Sequence, residues 1–173
     1  MYTFQELLLY TEPSPVCATA SETFQAHQWG RMIKPLLHES ELEDVDLVLI
    51  GCDEYRGQYS RAQFHAPERL REEFFALYNW HPDIKIGDLG NVRHGITLAD
   101  TRAALKLLLA AMHAYGKRVL ILGGSHDLTI QQYEVFRDRE EIIDFSVIDM
   151  LADLGEGEVE DYSNYLLSVL TSV

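Results

Sequence analysis

The spacing of apolar residues leaves few folds open to this chain. Apolar-rich runs at residues 45–50, 84–89, 118–122 and 144–148, the first the most nearly continuous, alternate with stretches whose apolar residues recur at helical spacing. A run apolar at successive positions suits a strand buried on both faces, as in a parallel sheet. Strands that alternate with amphipathic helices build such a sheet with helices on both sides. The expectation is an α/β fold: a three-layer α/β/α arrangement around a mostly parallel sheet of about four strands. One domain over residues 1–173 is expected to contain it.

Local signals place the helices. Leu105, Leu108, Leu109 and Met112 line one face of a helix predicted over residues 98–115. Thr97 followed by Asp100 offers reciprocal capping at its start, and Gly116 supplies its stop. Pro67 suits the first turn of a helix that Leu70, Phe74, Leu77 and Tyr78 continue. Residues 129–139 predict another, and residues 159–173 a short last one. Trp29, Met32, Ile33, Leu36 and Leu37 predict a helix over residues 28–38, which Pro35 must kink or end early. Residues 11–21 read as a loop, and residues 1–27 as an N-terminal lead-in.

The formal charge of −14, from 28 acidic against 14 basic residues, argues against nucleic acid as a partner. Phosphate neutralisation needs clustered Lys and Arg. No apolar run approaches the length of a membrane span, and no basic-then-apolar leader opens the chain. Cys17 and Cys52 are too few and too far apart for a disulfide framework or a zinc signature. Cys52, behind a strand run, reads as a buried small residue. A reducing cytoplasm is the expected setting.

Chemistry-bearing residues collect where two of the runs end. Gly123-Gly124-Ser125-His126-Asp127 follows the third, and Asp149-Met150-Leu151-Ala152-Asp153 the fourth. Parallel strands end on one side of a sheet, where open α/β sheets hold their ligands. His126, Asp149 and Asp153 are therefore expected at one sheet edge. Two carboxylates and an imidazole suit an ion such as Mn²⁺. The same residues fit a solvated acidic loop, since Glu156, Glu158, Glu160 and Asp161 follow. Ser125, His126 and Asp127 are consecutive, so they diverge and form no catalytic triad. The glycine pair also permits a phosphate-binding turn, although both nucleotide fingerprints are missing.

Taken in order, these motifs resemble the ureohydrolase family (arginase, agmatinase, formimidoylglutamase). Gly123-Gly124-Ser125-His126 matches its Gly-Gly-x-His, and Asp149 to Asp153 its Asp-x-His-x-Asp. Pro67-Glu68-Arg69-Leu70-Arg71 is similar to its Pro-x-x-Ile-Arg helix start, and Asp88-Leu89-Gly90-Asn91-Val92 to its Asp-Leu-Gly-Asp-Val segment. The resemblance covers about residues 45–155 and implies an arginase-like but incomplete sheet. It implies His126, Asp149 and Asp153 as ligands of one Mn²⁺, with Asp149 bridging to a second. In active members, a hydroxide shared by two ions attacks a small guanidinium or amidine substrate. Leu151 stands where the family has a histidine, and an aliphatic chain cannot ligate a metal. The family's later Asp-x-Asp has no counterpart in these residues. At most one partial Mn²⁺ site is therefore expected.

Three readings follow. The first is the N-terminal portion of a ureohydrolase-like protein, inactive alone and nearest the formimidoylglutamases through Ser125 and Asp127. The second is a non-catalytic binding or oligomerisation module that keeps the fold. The third is a phosphate binder. A half-sheet leaves strand edges bare. A homo-oligomer or a missing C-terminal half is therefore the expected partner, packed near residues 119–122 or 145–148. The acidic stretch 156–161 is a poorer contact, because like charges would meet.

Overall fold

The computed structural model describes residues 2–59, 64–81, 83–139, 142–155 and 161–171. Its centre is strand β3, Leu47–Gly51, flanked in parallel by β4, Ile86–Val92, and β5, Arg118–Leu122. Two short strands cover the far side of β4: β1, Thr11–Glu12, runs antiparallel, and β2, Lys34–Pro35, runs parallel. The sheet has five strands where about four were expected, and only β1 opposes the rest.

Alternation along β3 sorts the core into two layers. Val48 and Ile50 join one apolar cluster and Leu49 joins the other, as the two-residue period of a strand requires. The first cluster takes helices α1, Phe4–Leu8, and α5, Leu98–Ala114. Leu105, Leu108, Leu109 and Met112 of α5 are fully buried there. The second takes α2, Pro15–Thr23, α3, Trp29–Met32, and α4, Ala66–Ala76, through Cys17, Trp29 and Phe75. Helix α6, Thr129–Arg137, packs beside α5, and α7, Tyr165–Thr171, packs on α6. Thr97 and Asp100 form the expected capping box on α5.

Several expectations fail for local reasons. Residues 144–148 form no strand, and Ile148 lies fully in solvent. An apolar run becomes a strand only where a neighbour accepts its backbone bonds. The lead-in over residues 1–27 is not featureless: it holds α1, β1 and α2, with Ser14 capping α2 ahead of Pro15. The helix over residues 28–38 shrinks to α3, because the chain turns extended at Ile33 and Pro35 enters the sheet. The acidic residues 156–160, the start of the predicted last helix and Val173 lie outside the described residues.

Candidate metal centre

Strand β5 delivers the first candidate ligand. Beyond Leu122 the chain turns through Gly123 and Gly124, with φ of +80° and +85°. A side chain at Gly123 would run into Pro67, and one at Gly124 into Leu128 and the Cys52 carbonyl. The glycines thus serve close packing between β5 and the exit of β3. The Gly124 N–H donates to the Tyr55 hydroxyl (3.3 Å) and the Ser125 N–H to the Glu54 carbonyl (2.9 Å). With those donors turned inward, the loop is no phosphate cradle of the kind considered above.

The next two side chains part company. Asp127 is fully buried, accepting from Arg102 Nη2 at 2.6 Å and from the Ser125 hydroxyl. Gly57 makes room for it, since a Cβ there would overlap its carboxylate. His126 points the other way, with about half its side chain exposed. The Ser-His-Asp triplet is therefore no triad, as expected.

His126 meets the aspartates of the following segment. Its Nδ1 lies 2.9 Å from Asp153 Oδ2 and 3.4 Å from Asp149 Oδ2. Nδ1 is the ring nitrogen that faces both carboxylates, and the tautomer decides whether it donates to them or offers its lone pair. One donor atom from each residue lies within 4.8 Å of the others. Among the described residues this is the group able to hold a metal ion. An imidazole and two carboxylates fit a divalent ion of the Mn²⁺ kind, although three donors leave its coordination incomplete. Asp149 is steadied by accepting from the Met150 N–H (2.6 Å). Leu151, mostly exposed, offers no donor. Tyr165 closes one flank, its ring edge-on to His126 with centroids 5.9 Å apart. Burial, reinforced by Asp153 and Asp149, pushes the Tyr165 phenol up, so it stays protonated.

Two charged clusters escaped the sequence reading. Arg71, with no exposed surface, spends all five N–H donors. Nε and Nη2 bind the two oxygens of Asp88 (2.7 and 2.9 Å), Nη1 reaches Glu68 and Asn91 (3.0 and 2.6 Å), and Nη2 also reaches the Gly90 carbonyl (3.0 Å). Ser14 ties Glu68 to the start of α2 at 2.7 Å. The landmark segments around Pro67 and Asp88 are thus two sides of one buried knot. Further along, buried Glu54 accepts from Arg56 Nε and Nη2, and Arg56 reaches on to Ile96 O and Thr101 Oγ1. Burial pushes the Glu54 carboxyl up, but the bonds from Arg56 outweigh it and hold the group below the ordinary range. Arg71 and Glu68, and Glu54 and Arg56, are close in sequence, but their partners Asp88 and Thr101 lie 17 and 45 residues from Arg71 and Arg56, which leaves no spacing signal.

The model of the arginase family matches residues 43–157. Solved structures share the fold at low identity. A formimidoylglutamase from Bacillus subtilis superposes with a TM-score of 0.66 at 16% identity, covering 82% of this chain and 47% of that one. A formiminoglutamase from Trypanosoma cruzi, crystallised with Mn²⁺, gives 0.63 at 20%, covering 78% and 49%. A proclavaminate amidino hydrolase from Streptomyces clavuligerus gives 0.64 at 15%, covering 86% and 52%. The chain spans about half the length of these structures.

Proposed function

This chain belongs to the arginase family, and from that premise we propose that it carries one half of a two-manganese amidine hydrolase site and is inactive alone. The observation that carries the reading is the convergence of His126, Asp149 and Asp153, on two separate segments, to within 4.8 Å. His126 and Asp153 would serve as terminal donors, and Asp149, on the more open side, as the ligand shared with a second ion. When bound, Mn²⁺ supplies Lewis acidity and a more acidic coordinated water. The protein holds the three donors together and, through Tyr165, keeps water from one flank of the imidazole. Leu151 leaves the second ion without an imidazole from this segment. In the complete protein the substrate class is a small guanidinium or amidine compound, with formimidoylglutamate the nearest candidate.

Isothermal titration with Mn²⁺ tests the site. One ion per chain is expected, and no binding by the intact chain overturns the metal reading. With added Mn²⁺, no hydrolysis of arginine, agmatine or formimidoylglutamate is expected. Metal-dependent release of urea or formamide, abolished by His126→Ala, would refute inactivity.

A second role, association, is favoured by β5. It is the last strand of the sheet, and among the described residues nothing pairs with its outer edge. Leu120 on it is 41% exposed. A bare edge is a template for another strand, so we place a second copy or a complementary half there. Light scattering should show more than a monomer at micromolar concentration, and a monodisperse monomer would sink this. No helix among the described residues is long and apolar enough to cross a membrane. Two free, buried cysteines, Cys17 and Cys52, support a reducing cytoplasm.

A further inference from the structure

The match to the family model ends at residue 157, yet residues 161–171 pack onto the candidate metal centre. Four contacts hold it there. The Tyr59 hydroxyl donates to Asp161 Oδ2 at 2.7 Å. The Gly155 N–H donates to the Ser163 carbonyl at 2.9 Å. The Leu166 N–H donates to the backbone carbonyl of Asp153 at 3.2 Å. Tyr165, only 5% exposed, sets its ring at 76° to His126. Neighbouring residues of one segment therefore grip two of the three donors, one by its ring and one by its backbone. The anchor beneath is apolar: Tyr165 and Val169 pack on Ile130 of α6.

This geometry has an energetic meaning. An imidazole half exposed to water would sample several χ2 settings, and each setting away from Asp153 separates the donors. A buried aromatic ring packed edge-on removes that freedom. Ordering a ligand before the ion arrives lowers the cost of binding. Outer partners that orient a ligating histidine typically govern metal affinity by about 10–100-fold when removed.

We infer that Tyr165 is a positioning residue, holding the His126 ring against Asp149 and Asp153, and that residues 161–171 act as a clasp on the metal centre. The inference rests on the metal reading for its consequence but not for its geometry, and the experiment separates the two. In the metal-free chain, proton NMR reads the His126 ring protons, assigned by their loss in His126→Gln. An edge-on contact predicts ring-current shifts that Tyr165→Phe preserves and Tyr165→Leu abolishes. Ring protons of His126 at random-coil positions in the wild-type chain overturn the inference, whether or not metal binds. In parallel, Mn²⁺ affinity should fall about tenfold in Tyr165→Leu and stay within about twofold in Tyr165→Phe. Equal affinity in all three chains would also overturn it. Failure of the wild-type chain to bind Mn²⁺, with the ring-current pattern intact, would remove the metal reading and leave the positioning contact standing. Melting temperatures of the variants guard against a folding artefact, since the phenylalanine variant retains the packed ring.

Discussion

Arg71 and His126 sit in two clusters built from the same chemical types, a cation-capable side chain facing carboxylates, and they behave as opposites. Around Arg71 every N–H has an acceptor and the residue has no exposed surface. Around His126 about half the imidazole faces solvent, and its Nδ1 meets both carboxylates. The first cluster is closed within the chain and pins α4, β4 and the start of α2. The second is open to solvent and brings three possible ligand atoms within 4.8 Å of one another. The contrast shows how one family pattern can serve two ends: some of its charged landmarks hold the scaffold, and others, on the proposed reading, would hold an ion.

Breaking the closed cluster should have the largest effect. Arg71→Met strands Asp88 and Glu68 without their cation and should cost about 3–5 kcal/mol of stability by urea unfolding. Arg71→Lys should not rescue it, because an ammonium cannot reproduce the fork that meets Asp88 twice. At the open cluster, Asp153→Asn should cost less than about 1 kcal/mol in the metal-free chain. It should abolish the Mn²⁺-dependent rise in stability, which for the wild type reaches about 2.7 kcal/mol at a free ion concentration a hundredfold above Kd. If Asp153→Asn destabilised as much as Arg71→Met without metal, the distinction between the clusters would fail.

A second closed cluster, around Glu54, sharpens the comparison through pH. The folded-state pKa of Glu54 lies below its unfolded value, so its stabilising effect is present above the unfolded value. That effect is lost as pH falls through the folded value. Urea midpoints followed from neutral pH into the acid range should fall more gently in Glu54→Gln than in the wild type. The smallest effect should come from Thr97→Ala at the start of α5, about 1 kcal/mol, with no change in Mn²⁺ affinity.

What the sequence made legible follows from how locally each feature is encoded. Helix α5 carries its cap, its apolar face and its stop within one segment, and it forms as expected. Strand β3 is apolar at successive positions and occupies the sheet centre, where both faces are covered. Residues 144–148 also hold a β-branched, apolar-rich run but form no strand, since a strand also needs a neighbour that local sequence does not specify. The meeting of His126 with Asp149 and Asp153 was expected from strand ends, yet only the first motif follows an actual strand. The second reaches the same place as a loop. Asp127 diverges from His126, as adjacent side chains do, but its partner Arg102 lies 25 residues away, beyond any spacing rule.

The outer edge of β5, unpaired among the described residues, also bears on how this chain should age. Backbone that offers a ladder to its proper occupant offers it to any extended peptide nearby, including one from a neighbouring molecule. Arg118 at its start is the one charged residue along Arg118–Leu122, and Leu120 stands exposed beside the opening. Edges of natural sheets are usually blunted by charge, proline or cover. Purified material should therefore lose solubility faster as it is concentrated.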